Sequence, residues 1–426
     1  MTMLTSMSLA GAIEYKDALD LAVAPLETLP DAERTDTLTL YAGNKIAYDD
    51  NIYLLPRSIT DLSTLTGIGA NADRKDYIDS ISGGMDAEWL TGARQSLDVG
   101  LHADYNRYFR NQDLNNVSSN DRVAWNWALG DALSGKVGVD YQRLLAGFSN
   151  TVVYSRDIVN RTDYFGSMRY QVGPRWGIFG GLIGTDYSVS AAQGAFNNSK
   201  TKAVDIGTDL ASETNRIGFD YRYNDARAQN SVVLNGILFD PDYREDRARV
   251  LLRYALTEKT LLDASAGYLK RQYPSSAIGS FSGEIWRAAF QWQPTPKTQL
   301  LVGVWRQLDA DLTSQTDYFV DKGVSLTPQW IASEKITFSA IISRDTNDYV
   351  GSNPINVIPV ASISQARRDT ITAENATMIY TPIRAISITV FAGHSTRNSN
   401  ISQFHYNDIQ GNVSVVYKFY RRGNVQ

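Results

Sequence analysis

The feature that most constrains this chain is an alternation of apolar and polar side chains, two residues in period, that returns along almost its whole length. In residues 405–419, Ile409, Gly411, Val413, Val415, Tyr417 and Phe419 fall on one parity; Gln410, Asn412, Ser414 and Lys418 fall on the other, where Val416 is the apolar exception. A strand patterned in this way half-buries itself against something apolar. A soluble sandwich strand would alternate equally well, so repetition through the chain has to decide between the two environments.

The repetition is extensive. Leu38, Leu40, Ala42, Ile46 and Tyr48 share a parity, followed by a polar loop from about residue 56 to 75. Ile81, Met85, Ala87 and Trp89 then alternate with Ser82, Asp86 and Glu88, and after a turn at residues 91–93 Leu97, Val99, Leu101, Ala103 and Tyr105 alternate with Asp98, Gly100, His102, Asp104 and Asn106. Val123, Trp125, Trp127 and Leu129 continue the pattern, and Val137, Val139 and Tyr141 return it opposite Lys136, Gly138, Asp140 and Gln142. Further strands are expected near 160–172, 175–188, 202–211, 215–226, 244–256, 260–273, 281–293, 298–309, 316–328, 335–348, 367–381, 385–397 and 405–419. The count is eighteen.

Short connections near residues 92, 132, 173, 213, 258, 295, 332 and 383 alternate with longer ones. Segregating loop length by end is the pattern of an up-and-down transmembrane β-barrel, with tight periplasmic turns and longer extracellular loops. The expected fold class is therefore all-β, an antiparallel barrel of about eighteen strands over residues 36–420, with both chain ends periplasmic in a Gram-negative outer membrane. Residues 1–12 read as the remnant of a signal peptide ending in Ala10-Gly11-Ala12, residues 13–35 as a periplasmic lead-in, and residues 421–426 as an extension.

Composition enters as a set of exclusions. No apolar run approaches the length of a membrane helix, and a mean hydropathy of −0.28 is compatible with a barrel, because lipid-facing and lumen-facing residues cancel in any window. The 426 residues include no cysteine, which removes disulfides and thiol chemistry, and a net charge of −5 from 41 basic and 46 acidic residues speaks against nucleic acid as a partner. The 24 tyrosines and 8 tryptophans suit interface anchors.

If the apolar parity faces lipid, the opposite parity lines the lumen. The early strands contribute Asp86, Glu88, Asp98, Asp104 and Asp140, followed by Asp205 and Asp209. The middle contributes Arg216, Arg222, Arg247, Arg249, Arg253, Arg271 and Arg287. Neighbours in sequence are neighbours in such a barrel, so these arginines are expected to form one basic wall facing an acidic one. Guanidinium groups bind carboxylate and phosphate in bidentate fashion, which points to a path for an anionic solute, an acidic polysaccharide included. The competing reading is that the arginines pair across the barrel with these carboxylates, holding loops and wall in shape. Parity is ambiguous near 175–188, where Gly180, Gly181 and Gly184 interrupt it, and near 316–328 and 367–381.

Catalytic and metal readings are weaker. His102 and Asp104 share a face, and Asp86, Glu88 and Asp98 could supply a glycosidase pair, yet no nucleophile elbow accompanies them and nothing singles out two carboxylates. Asp49, Asp50 and Asn51 with Asp61 could hold calcium at a loop, although a plain polar turn explains them more simply. The chain is expected to be no enzyme and to have no metal or cofactor.

The segments DDNIYLLP, ADYNRYFRNQDLN and VAWNWALGDALSGKVGVDYQRLLAGF resemble outer-membrane β-barrel proteins encoded in exopolysaccharide biosynthesis operons, the EpsL-like members of a broad porin group. The likeness is strongest over residues 36–150. It implies export of an extracellular polysaccharide, with outer-membrane lipid, the polysaccharide, and periplasmic or inner-membrane synthesis components as partners. It transfers no catalytic residue. A diffusion porin for small, anionic solutes is the alternative, and a polysaccharide hydrolase a third reading.

Overall fold

The computed structural model describes residues 36–422, leaving aside residues 70, 152, 191–197, 213, 231, 235–236, 275–278, 310–317 and 351–365. The expectations for residues 1–35 lie outside the described residues, as does most of the extension beyond 420. The strands are β1 (Thr37–Asp49), β2 (Asp76–Gly92), β3 (Gln95–Tyr108), β4 (Asn116–Leu129), β5 (Leu133–Leu145), β6 (Ile158–Gln171), β7 (Trp176–Val189), β8 (Ser199–Ala211) and β9 (Arg216–Ala228). A short hairpin of β10 (Val232–Leu234) and β11 (Ile237–Phe239) stands apart from the wall. The wall resumes with β12 (Tyr243–Thr257), β13 (Thr260–Gln272), β14 (Phe281–Thr295), β15 (Thr298–Asp309), β16 (Tyr318–Ser333), β17 (Ile336–Val350), β18 (Arg368–Ile383), β19 (Ile386–Ser399) and β20 (Tyr406–Arg422).

The barrel is an 18-stranded antiparallel sheet in which each strand pairs with its sequence neighbour, β9 pairs with β12, and β20 returns to β1. The closing seam runs in register from Asp49↔Gln410 down to Thr37↔Arg422, so no strand edge is left to hydrocarbon. The strand expected at 405–419 is this closing strand, and it runs on through Arg422. β1 begins and β20 ends at the rim that carries the short turns.

The barrel is polar inside and apolar outside. Leu182, Ile206, Ile81 and Leu210 are among the most exposed side chains, whereas Asp205, Asp220, Arg222, Arg271 and Asp369 are buried. So wide an exposed apolar surface would drive a water-soluble monomer to associate; around a barrel it is the lipid-facing band. Trp89, Trp176, Trp292 and Trp330 lie on the outer face next to the short turns, the level at which amphipathic rings anchor a barrel to the membrane–water boundary. Charges on the outer face gather towards the long-loop rim, as in the ion pairs Lys322–Asp348 (3.0 Å), Arg368–Asp348 (3.1 Å) and Arg227–Asp225 (2.7 Å).

The pairing settles the ambiguous parities. Ile178 and Leu182 of β7 face outward while Phe179 and Tyr187 turn into the lumen and are buried. In β16, Val324 and Leu326 are exposed outward; in β18, Ala373 and Asn375 are turned inward and buried, so the opposite parity meets lipid.

At the long-loop rim, three connections fold onto one another. Tyr53 and Leu55 from the first loop, Leu114 from the second, and Phe148 and Tyr154 from the third form a buried cluster with Tyr108. Arg74 ties the first loop together, donating to the carbonyls of Leu55 (2.8 Å), Pro56 (2.9 Å) and Ile59 (2.5 Å) and to Asn51 Oδ1 (3.1 Å). Burial pushes the Tyr53 phenol up to about 12, which keeps it neutral as it meets Asn111 Oδ1 at 3.1 Å. The second loop is fixed by Asp76, whose carboxylate accepts from the backbone N–H groups of Tyr77, Phe109, Arg110 and Asn111.

Candidate solute path through the lumen

Arg216, Arg222, Arg247, Arg249, Arg253, Arg271 and Arg287 lie on consecutive wall strands from β9 to β14. They do not form a wall of one sign. Arg222 on β9 stands opposite Asp205 on β8, donates to both of its oxygens at 2.7 and 2.8 Å, and both side chains are 2% exposed. Asp220, fully buried, accepts a bidentate pair from Arg249 at 3.0 and 3.1 Å and lies 3.9 Å from Arg247. Glu245 accepts from Arg271 at 2.6 and 2.8 Å and from Asn224 at 2.8 Å. Asp209 is shared by Arg216 (2.6 Å) and Arg169 of β6 (2.5 Å). The basic wall of the sequence reading is therefore a lattice in which cations and carboxylates alternate between adjacent strands. The pairing runs laterally along the wall.

Two glycines make room for it. A Cβ at Gly267, opposite Arg249 in the register, would come within 2.0 Å of the Ala248 carbonyl and 2.7 Å of the Arg249 stem. One at Gly177 would meet the Arg169 guanidinium at 2.2 Å. Without side chains at these points Arg249 reaches Asp220 on the adjacent strand, and Arg169 passes over Gly177 of β7 to Asp209 on β8.

The arc retains some cationic character. Arg253 meets Asp263 only at 3.9 Å, with both about half exposed, and Arg287 faces the lumen between Ser265 and Trp305 as an exposed residue. Among the arginines of this arc, these two guanidinium groups are the most exposed.

The acidic positions divide. Asp205 and Asp209 belong to the arginine lattice. Asp86, Glu88, Asp98, Asp104 and Asp140 line β2, β3 and β5 as expected. Asp98 accepts from Asn126 at 2.6 Å and Asp140 lies 3.7 Å from Arg122. His102 takes Asp86 as partner at 2.9 Å rather than Asp104, and its ring centroid is 5.1 Å from that of Tyr41. Asp86 and Asp98, offered as halves of a glycosidase pair, are thus engaged with wall side chains. A second acidic group, absent from the sequence reading, lies on β15 and β16: Asp321 accepts from Trp305 Nε1 at 2.6 Å, and Asp309 from Gln307 at 2.8 Å.

The feature that sequence reasoning missed is the third long loop, residues 146–157. It leaves the wall between β5 and β6 and its tip reaches the far side, β17 to β19. Asn150 Oδ1 accepts from Arg367 (2.9 Å), Arg397 (2.9 Å) and Tyr349 (3.2 Å), while Arg397 also donates to the Ser149 carbonyl. Buried Asp369 sets the receptor, paired bidentately with Arg367 and 3.6 Å from Arg397. Arg367 also lies over the Tyr349 and Phe404 rings. The loop thus runs as a strap at the long-loop rim, from β5 and β6 to the side formed by β17 to β19.

A groove of about 660 Å³ between Trp292, Trp330, Phe338 and Met378 lies on the outer face, where acyl chains pass, and is no part of this path.

A family model described as "Putative beta-barrel porin 2" matches residues 242–419, from β12 into β20. No curated protein sequence matches the chain. Among solved structures, Pseudomonas aeruginosa OpdQ aligns at 10% identity over 91% of this chain and 100% of its own, with a TM-score of 0.49. P. aeruginosa OprD aligns at 12% identity over 91% and 96%, TM-score 0.48. P. aeruginosa OccK2, solved in complex with glucuronate, aligns at 11% over 90% and 98%, TM-score 0.48. The chain is an eighteen-stranded transmembrane β-barrel whose second half is similar to a porin family, a family of channels and not of enzymes.

Proposed function

We propose that this protein is an outer-membrane porin that passes small solutes, with the arginine arc of β9 to β14 favouring those that carry a carboxylate. The observation that carries the reading is the strap at Asn150. A growing polysaccharide needs an uninterrupted bore, whereas small solutes can pass beside a loop pinned across the entrance. The porin likeness over residues 242–419 supports the same side. Export of exopolysaccharide rests on the resemblance of residues 36–150 alone.

In this reading the short turns and both chain ends face the periplasm, and the strapped rim faces outward. Charge selectivity comes from Arg253 and Arg287, because the buried lattice cations are already neutralised by their partners. One-sign charge left exposed on a low-dielectric wall concentrates counter-ions.

The test is planar-bilayer recording under a salt gradient. Arg253→Glu together with Arg287→Glu should move the reversal potential towards cations while leaving the barrel folded. An unchanged potential would remove anion preference from the proposal. Liposome swelling with small carboxylates should be fast. Failure of small solutes to pass, together with block of ion flow by an acidic polysaccharide, would return the protein to export.

A further inference from the structure

The seam that closes the barrel carries a group of carboxylates that the solute path does not use. Asp49 ends β1, Asp50 follows it, and Asp408 stands near the start of β20; one oxygen from each lies within 4.8 Å of the others. Asp408 is 2% exposed, and its Oδ1 is buried with no hydrogen-bond donor. Its Oδ2 accepts from Gln410 Nε2 at 2.8 Å, and the same amide reaches Asp49 Oδ2 at 3.2 Å. Asp49 Oδ1 accepts from the Asn51 N–H (2.8 Å) and Asp50 Oδ1 from the Ile409 N–H (2.7 Å). Among the described residues no lysine or arginine forms an ion pair with any of the three.

Asp76, on the neighbouring strand at the same rim, shows how a buried carboxylate is satisfied without a metal. It is fully buried, and both of its oxygens are filled by backbone N–H groups and the Asn111 amide. At the seam, by contrast, three carboxylates receive two backbone N–H groups and one glutamine amide between them, and the buried Oδ1 of Asp408 has no donor. Like charges brought together away from water are held by a cation or give up their charge.

We propose that Asp49, Asp50 and Asp408 bind a divalent cation of the calcium class and that the ion clamps the first strand to the last. The donors are all oxygens, which suits a hard cation and excludes the nitrogen and sulfur preference of zinc and copper. Calcium accepts irregular sets of oxygen ligands, whereas magnesium demands a near-ideal octahedron and keeps several of its waters. Asp50 is half-buried and leaves an approach from solvent. By sequence alone Asp49, Asp50 and Asn51 group with Asp61. The structure instead uses Asp61 to cap a short turn through Ser63 and brings in Asp408.

The experiment uses the full chain refolded in zwitterionic detergent, free of lipopolysaccharide and stripped with chelator. Terbium chloride is added, and its luminescence, sensitised by tyrosines beside the site such as Tyr48 and Tyr406, is followed as calcium chloride displaces it. Wild type should show a saturable terbium signal, displaced by calcium far more readily than by magnesium, and calcium should raise the heat at which the barrel unfolds in dodecyl sulfate. Asp408→Asn should weaken calcium binding by about tenfold or more, and Asp61→Asn should leave it unchanged. Absence of a saturable terbium signal in wild type overturns the proposal, as does equal displacement by magnesium. Calcium affinity unaltered in both Asp408→Asn and Asp50→Asn overturns it as well.

Discussion

Replacing Arg222 by alanine is expected to lower the unfolding free energy of the barrel by about 3–5 kcal/mol, because it strands Asp205 as a buried, unpaired charge. Arg222 and Asp205 are each 2% exposed and joined by two hydrogen bonds, so water cannot replace the lost partner. Arg253→Ala removes a guanidinium from the same arc but should cost no more than about 1 kcal/mol, since its ion pair is long, half exposed and screened. Replacing Arg222 and Asp205 together by leucine should recover most of the loss, because the desolvation penalty of a buried pair offsets most of its mutual attraction. Urea unfolding in lipid vesicles measures all three. Equal costs for Arg222→Ala and Arg253→Ala would mean that the lattice does not hold this arc, and the arginines would have to be explained by transport alone.

Much of this barrel can be read from the sequence because a transmembrane strand has two solvents, and each residue must choose between them. Eighteen strands, their order and the inward turn of Arg247, Arg249 and Arg253 follow from that choice. Parity fails where the lumen is filled with rings rather than water. Phe179 and Tyr187 face inward yet look lipid-facing on paper, and Phe179 fits because Gly207 of the next strand leaves it space. Parity also says nothing about register. Whether Arg222 meets Asp205 or another arginine depends on where the turn after Ala211 sets the pairing, and Asp220, the partner of Arg249, passed unnoticed between two arginines on its own strand. The strap and the seam were least legible. Asn150 meets Arg397 across 247 residues, and Asp408 meets Asp49 from the other end of the chain; neither contact leaves a local pattern.

Asn150→Ala should open the mouth. The substitution removes the one oxygen that accepts from Arg367, Arg397 and Tyr349. Hydrogen bonds from charged donors contribute roughly 1.5–3 kcal/mol each, so even a partial loss shifts the docked-to-free balance of the loop by about tenfold to a hundredfold. The buried cluster of Tyr53, Phe148 and Tyr154 is untouched, so the loop base stays packed while its tip keeps only the Arg397 donation to the Ser149 carbonyl. Single-channel conductance should rise and the open current should become noisier as the tip moves in and out of the bore. Arg397→Ala should do the same more weakly, because Arg367 remains held on Asp369 and can still donate to Asn150. Conductance and noise identical to wild type in both variants would mean that the strap does not bound the path, and selectivity would then lie entirely with the wall below it. A rise confined to Asn150→Ala would assign the hold to Arg367 and Tyr349; Arg367→Ala should then raise conductance too, and should also destabilise the rim, because it strips buried Asp369 of its bidentate partner.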